Sequence, residues 1–196
     1  MDVSTFNRDH IAGSCADNVR SQLPAVNIDQ ARRWLSDRAL GVDVFNFAIE
    51  LKSPSDSENN QPFKFIGVLG SYHWPAVGYL IHPEYAGKGY ATEALQAWLR
   101  AYFEHVPTSR EGGFDYVEAS TDTQNWGSRK VLERCGFKLC EIHEKDFENL
   151  VFGLRDTAVY RIARPGTVLE DLGFIERGRV GSRLRSDGDA PVPPVQ

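Results

Sequence analysis

The chain reads as an α/β domain, a mixed sheet of about six or seven strands flanked by helices. Three observations predict this. An apolar strand, Val77 to His82, runs into a turn holding Gly87 and Gly89, and a helix begins at once. That helix carries Leu95, Trp98, Leu99, Tyr102 and Phe103 at i, i+3, i+4, i+7 and i+8, an apolar stripe of helical period. A second strand and helix follow, Phe114 to Ala119 and then 125–135, so that strands and helices alternate through the middle of the chain.

Taken in order, the opening stretch Met1 to Leu23 is short and weakly patterned. Ile28 to Leu35 reads as a helix with Asn27 as its cap. Val44 to Leu51 alternates as a strand does, and Phe63 to Leu69 is its expected hairpin partner. Between them, Ser53 to Gln61 is a polar loop rich in serine and asparagine. The central helix closes at a polar break, Pro107 to Gly113, before the strand Phe114 to Ala119. In the next helix Ser128, Val131, Leu132 and Cys135 share one face, and Gly136 suits the left-handed stop. A strand follows, and Ala158 to Ala163 reads as the last one. After Pro165 the composition turns to Gly, Arg, Asp and Pro, and Ser182 to Gln196 is expected to be disordered. The domain is therefore placed at 1–164, with 165–196 as a C-terminal extension.

With 196 residues, 41% of them hydrophobic and 25% charged, the chain suits one soluble globular domain with a sizeable core. A net charge of -5 argues against nucleic acid as the partner. The three cysteines, Cys15, Cys135 and Cys140, make neither a disulfide framework nor a metal-spaced set, so no metal is expected. No charged-then-apolar leader opens the chain and no apolar run approaches membrane length. The expectation is an intracellular, cytoplasmic location with no membrane partner, as a monomer or homodimer.

The glycine turn is the feature with chemistry in it. Where little side chain stands in the way, consecutive backbone N–H groups can face one point, backed by a helix N-terminus, and that arrangement suits a phosphate or pyrophosphate. The plainer reading of Gly87 and Gly89 is a tight turn. The run Ala86-Gly87-Lys88-Gly89-Tyr90-Ala91-Thr92-Glu93-Ala94, taken with Asn125, Ser128, Leu132, Glu133, Gly136 and Phe137 at their spacing, resembles the GNAT superfamily of acetyl-CoA-dependent N-acyltransferases. The wording is similar to its Rim-type branch, whose members acetylate protein N-termini. The resemblance covers Phe63 to Phe137 closely and Val44 to Arg164 loosely.

This resemblance implies a mostly antiparallel sheet whose central parallel strands, Val77 to His82 and Phe114 to Ala119, splay apart around the cofactor. It implies acetyl-CoA as co-substrate and direct attack by a primary amine without an acyl-enzyme. The acceptor would be a protein N-terminus, a polyamine or another small molecule. Backbone N–H groups of Gly87, Lys88, Gly89, Tyr90 and Ala91 would hold the pyrophosphate, and the strand edge at Leu80, Ile81 and His82 the pantetheine arm. Ala86 stands where the family often has Gln or Arg. Lys88 and Arg129 would neutralise phosphates, or serve as ordinary solvated charges. Asn125 would bond the pantetheine arm, cap its helix, or both.

Transfer from a thioester to an amine requires a proton to leave nitrogen, the carbonyl oxygen to be stabilised, and the thiolate to be protonated. By resemblance Ser128 sits near the sulfur as the acid, because Leu132 occupies the position where many relatives carry a tyrosine. Tyr160 or a water is the alternative. Glu118 and His82 are the candidate bases, set against a structural carboxylate and a surface histidine, with His73, Glu84 and Asp122 weaker. A water chain needs no dedicated base. Leu132 and the weakly patterned opening also leave room for a second class, a non-catalytic acyl-CoA-binding sensor or degenerate relative.

Overall fold

A computed structural model describes residues 27–29, 32–33, 36, 44–51, 64–149 and 152–176. Among them, strands β1 (Phe45–Leu51), β2 (Lys64–Ser71) and β3 (Gly78–Ile81) form one antiparallel meander in the order β1-β2-β3. Strands β4 (Tyr116–Asp122), β5 (Lys138–Asn149) and β6 (Gly153–Ala163) form a second sheet in the order β4-β6-β5, also antiparallel. Helix α1 (Tyr90–His105) joins the sheets, and α2 (Trp126–Arg134) links β4 to β5. The two sheets meet at one parallel bridge, Ala76 opposite Glu118. There the Val77 N–H donates to the Glu118 carbonyl at 2.8 Å, and the Glu118 N–H donates to the Pro75 carbonyl at 3.0 Å. Beyond that point the strands part. The central parallel strands thus run and splay as expected.

Local chemistry sets the element ends. Glycine 89 caps α1 at φ 91°, a backbone conformation that L side chains resist. The helix stops at Val106, held extended (ψ 127°) by the following Pro107, whose ring disfavours helical geometry in the residue before it. The second helix opens with the Asn125 Oδ1 accepting from the Ser128 N–H at 3.1 Å. It closes in a Schellman turn, Gly136 at φ 92° and the Phe137 N–H donating to the Leu132 carbonyl at 3.1 Å.

The hairpin β1–β2 lies where the alternation places it, and helix is present at the described residues 28, 29, 32, 33 and 36. The strand expected from Phe114 begins instead at Tyr116, because the Phe114 N–H donates to the Pro107 carbonyl at 2.9 Å and stays with the loop. Gly113 is required there: a Cβ would fall 2.0 Å from the Pro107 oxygen. The strand then extends to Asp122, opposite Thr157 of β6. The expectations for Met1 to Leu23, the loop Ser53 to Gln61 and the tail Ser182 to Gln196 lie outside the described residues.

The core sits between α1, α2 and the inner faces of both sheets. Leu95, Trp98, Leu99 and Tyr102 of α1 meet Leu132 and Cys135 of α2, Val117 and Ala119 of β4, and Ala158 and Tyr160 of β6. Part of the C-terminal extension packs on the domain. Leu169 is buried, the Phe174 ring centroid lies 4.6 Å from that of Tyr116, and the Arg161 guanidinium stands 4.3 Å from the Phe174 ring.

Two expectations follow. Leu95 is 0% exposed within this cluster. Leu95→Ala should lower unfolding free energy by about 2–5 kcal/mol, read as a drop in urea midpoint at unchanged slope. Burial pushes the hydroxyl of Tyr79 up to about 12 and raises that of Tyr102 as well. An unfolded tyrosine ionises near pH 10, so the native state keeps protons that the unfolded chain sheds. The stability these two tyrosines contribute is complete below about pH 10 and falls as pH climbs from there toward the native values. The urea midpoint should be lower at pH 11 than at pH 8, and Tyr102→Phe should recover part of the difference.

Candidate active site

The splay opens a cavity of about 370 Å³ between β3, the glycine turn and α2. Tyr79, Leu80 and Ile81 form one wall, and Gly127, Ser128, Val131 and Arg134 form the facing one. Ala86, Gly87, Gly89 and the first turn of α1 close one end. Strand β3 is an edge strand of its sheet, paired with β2 alone, so its other edge faces this space.

At the turn, Gly87 and Gly89 take φ 74° and 91°, and a Cβ on either would meet nothing within 4 Å. Their backbone conformation alone requires glycine. What the geometry adds is their place on the cavity wall beside the start of α1. The first backbone bond of that helix is Glu93 N–H to Gly89 carbonyl, at 3.1 Å. The N–H groups of Tyr90, Ala91 and Thr92 precede it and have no acceptor within the helix, and all three residues line the cavity. Three such donors at the positive end of a helix dipole suit an anion. Lys130 and Arg134, one turn apart on α2, add positive charge to the lining.

On the facing wall Ser128 is partly buried on the first turn of α2. Its Oγ lies 2.8 Å from the Tyr79 hydroxyl, which also donates to the Ser128 carbonyl at 3.2 Å. Burial is the larger influence on the Tyr79 proton and raises its pKa, with the Ser128 hydrogen bond pulling the other way.

The structure gathers Leu80, Ile81, Gly87, Gly89, Tyr90, Ala91, Asn125 and Ser128 around this one space. Four other candidates do not line it. His82 is exposed and caps the turn Pro83–Tyr85, its Nδ1 accepting from the Glu84 N–H at 3.4 Å. Lys88 is exposed, its Nζ 5.2 Å from the Tyr85 ring centroid. Arg129 turns inward to the protein: its Nε donates to the Tyr160 hydroxyl at 2.9 Å and its Nη1 to the Thr123 carbonyl at 2.8 Å. Glu118 points to the other sheet face, where its Oε2 accepts from the Arg161 Nε at 2.7 Å. Arg161 also binds Glu141, whose Oε2 accepts from His143 Nε2 at 2.8 Å. The arginine hydrogen bond, then the histidine one, holds the Glu141 carboxyl below its ordinary range.

The alternatives are similarly committed. Tyr160 is 0% exposed, its hydroxyl shared between Arg129 and Glu133. Asp122 is paired with Arg155 at 2.8 Å. Leu132 is 1% exposed and belongs to the core, which explains an aliphatic residue there. His73 and Glu84 are exposed. Sequence reasoning passed over Tyr79, Lys130 and Arg134. Arg134 was within reach, since Ser128, Val131 and Arg134 recur every third residue on one helical face. Tyr79 carried no local signal, lying 49 positions from its serine partner.

A larger groove of about 670 Å³, lined by Phe47, Ile49, Leu69, Ala94 and Trp98 among others, runs between β1, β2 and α1. Its lining is mainly apolar, with Glu50 and Glu93 as the charged members, and it lacks the anion site. Among the described residues no helix is long and apolar enough to cross a membrane, and no cluster of three His, Cys, Asp or Glu could hold a metal.

Comparison with known proteins agrees with this geometry. Among solved structures, the Microcin C7 self-immunity acetyltransferase MccE, in complex with acetyl-CoA and AMP, is 18% identical, covers 69% of this chain and 68% of its own, and superposes with a TM-score of 0.50. A spermidine N-acetyltransferase SpeG chimera from Vibrio cholerae is 17% identical over 70% of this chain and 76% of its own, with a TM-score of 0.52. The ribosomal-protein-S5-alanine acetyltransferase from Vibrio fischeri is 20% identical over 69% and 70%, at 0.50. At these identities the likeness is one of fold. Among curated proteins, none matches the sequence. Residues 9–138 match the acetyltransferase (GNAT) domain family, a span that takes in β1 to β4, both helices and the whole cavity lining. The chain belongs to the GNAT acetyltransferase family.

Proposed function

We propose that this protein transfers an acetyl group from acetyl-CoA to a primary amine by direct attack. One observation carries the reading: Tyr90, Ala91 and Thr92, whose N–H groups have no acceptor within the helix, line the same cavity as Ser128. The pyrophosphate sits at the start of α1, against Gly87, Gly89, Tyr90, Ala91 and Thr92. Lys130 and Arg134 neutralise phosphate charge in place of the expected Arg129, and Lys88 contributes from the rim. The pantetheine arm runs along the edge of β3, adding backbone hydrogen bonds at Leu80 and Ile81, and Asn125 holds it from the other side. The thioester then lies near Ser128, within the splay.

The amine nitrogen attacks the thioester carbonyl carbon, and the carbonyl π electrons move onto oxygen. The tetrahedral adduct collapses as the C–S bond breaks, giving an amide and a thiolate. The proton lost by nitrogen balances the one gained by sulfur. Ser128 donates a hydrogen bond to the sulfur as negative charge builds there, and protonation of the thiolate completes the step. Nitrogen gives its proton to water, because Glu118 is held by Arg161 and His82 caps an exposed turn. Alignment of the two substrates supplies the larger part of the rate.

The acceptor is an amine of a protein N-terminus, a polyamine or another small molecule. Resemblance to the Rim-type branch favours the N-terminus.

Titration calorimetry should show micromolar binding of acetyl-CoA, and free thiol should appear only when an amine is added. Binding without amine-dependent release would establish a sensor instead. Gly89→Trp should abolish binding by filling the space beside the helix start; unchanged affinity in a folded variant would overturn the site. Ser128→Ala should lower kcat by about 10²-fold while leaving the acetyl-CoA Kd nearly unchanged. Equal losses in both would assign Ser128 to positioning.

A further inference from the structure

Ser128 has one proton and two lone pairs, and its usefulness to the sulfur depends on where that proton points. A serine on a helix commonly spends it on the carbonyl four residues back. In this chain a phenol arrives from the opposite wall. The Tyr79 oxygen is 2.8 Å from Ser128 Oγ and 3.2 Å from the Ser128 carbonyl, so the shorter contact is to the hydroxyl. We propose that Tyr79 is a positioning residue: its hydroxyl, bonded to both the Oγ and the carbonyl of Ser128, fixes the serine side chain at the cavity wall beside the thioester sulfur.

Three facts support this role. The Tyr79 ring packs against the core, with its hydroxyl reaching the cavity wall. Burial favours the neutral phenol, which can give one hydrogen bond and accept another, so it can hold both Ser128 atoms at once. The serine N–H is already given to Asn125, which fixes the helix turn and leaves only the hydroxyl free to rotate. The contact with the Tyr79 hydroxyl sets that rotor. Leu132 belongs to the core, so the phenol reaches the helix from β3 and acts through serine. No proton is transferred along the pair, and Tyr79 ends each turnover as it began. The inference rests on the acetyl-transfer reading above.

The test is a double-mutant cycle on the full chain with Tyr79→Phe, Ser128→Ala and both together. Acetyl-CoA is the donor and a panel of N-terminal peptides, polyamines and amino sugars supplies the acceptor, with released thiol as readout. Kd by calorimetry and Tm are measured on each variant. Tyr79→Phe keeps ring and volume, so it should fold with Tm close to the parent. Its kcat should fall about tenfold with Kd within about twofold, and it should have no further effect once Ser128 is alanine. Undiminished kcat in Tyr79→Phe, or losses that multiply in the double variant, would overturn the positioning role alone. A fall in kcat matched by a fall in affinity or Tm would likewise reduce Tyr79 to a packing residue. Absence of amine-dependent release in the parent protein would overturn the transfer reading and this inference with it.

Discussion

Among the described residues, two backbone hydrogen bonds, Val77 to Glu118 and Glu118 to Pro75, are all that joins the two sheets as neighbouring strands. The rest of the site depends on how short that seam is. Were the parallel pairing to continue, β4 would occupy the edge of β3 and satisfy its backbone groups. Each strand keeps an antiparallel partner on its far side, β2 for β3 and β6 for β4, and the two sheets diverge from the shared point. A wedge opens between strands of one domain, with β3 on one side and the start of α2 on the other. Tyr79 and Ser128 reach across it. The hydroxyl contact therefore does the joining that a ladder of backbone bonds would do elsewhere, and leaves room for a ligand arm to run beside it.

Charge is organised on the opposite face. Arg161 is 8% exposed and takes both Glu118 and Glu141, with Phe174 of the C-terminal segment stacked over its guanidinium. A buried cation with two carboxylates and an aromatic cover is satisfied, and removing one carboxylate would leave charge stranded. This explains why Glu118, although it stands at the seam itself, belongs to the scaffold by geometry. Its backbone joins the sheets while its side chain ties β4 to β6.

Much of the fold was legible because its signals were local. The period of Leu95, Trp98, Leu99 and Tyr102 needs no tertiary knowledge, nor does a glycine at a positive φ before a helix. Gly136 ended α2 as its conformational freedom predicts. Pairing was less legible. That β6 inserts between β4 and β5 depends on contacts between residues far apart in sequence, and the extension of β4 to Asp122 depends on that insertion. The site divides the same way. Gly87, Gly89, Asn125 and Ser128 sit in motifs with a mechanism attached and came together. Arg129 and Glu118 were named for their charge, and charge says nothing of direction: one turned to Tyr160, the other to Arg161. Tyr79 became visible only when the sheet placed it opposite Ser128.

Arg164 follows the last residue of β6 and gathers the carbonyls of Phe103, Val106, Pro107 and Phe114, at the end of α1 and in the loop after it. The central strand of the second sheet and the residue that closes off the first helix are thus among the last parts of the domain to be made. While the chain is still on the ribosome, the glycine turn and both helices emerge well before the strand and the guanidinium that hold them. Synthesis at about 5–20 residues per second leaves α1 and β4 waiting for seconds with an unfilled sheet edge. Ala158 and Tyr160 of β6 belong to the core, so the core is completed only after that strand has emerged, and until then β4 and β5 are open to pairing with the wrong strand.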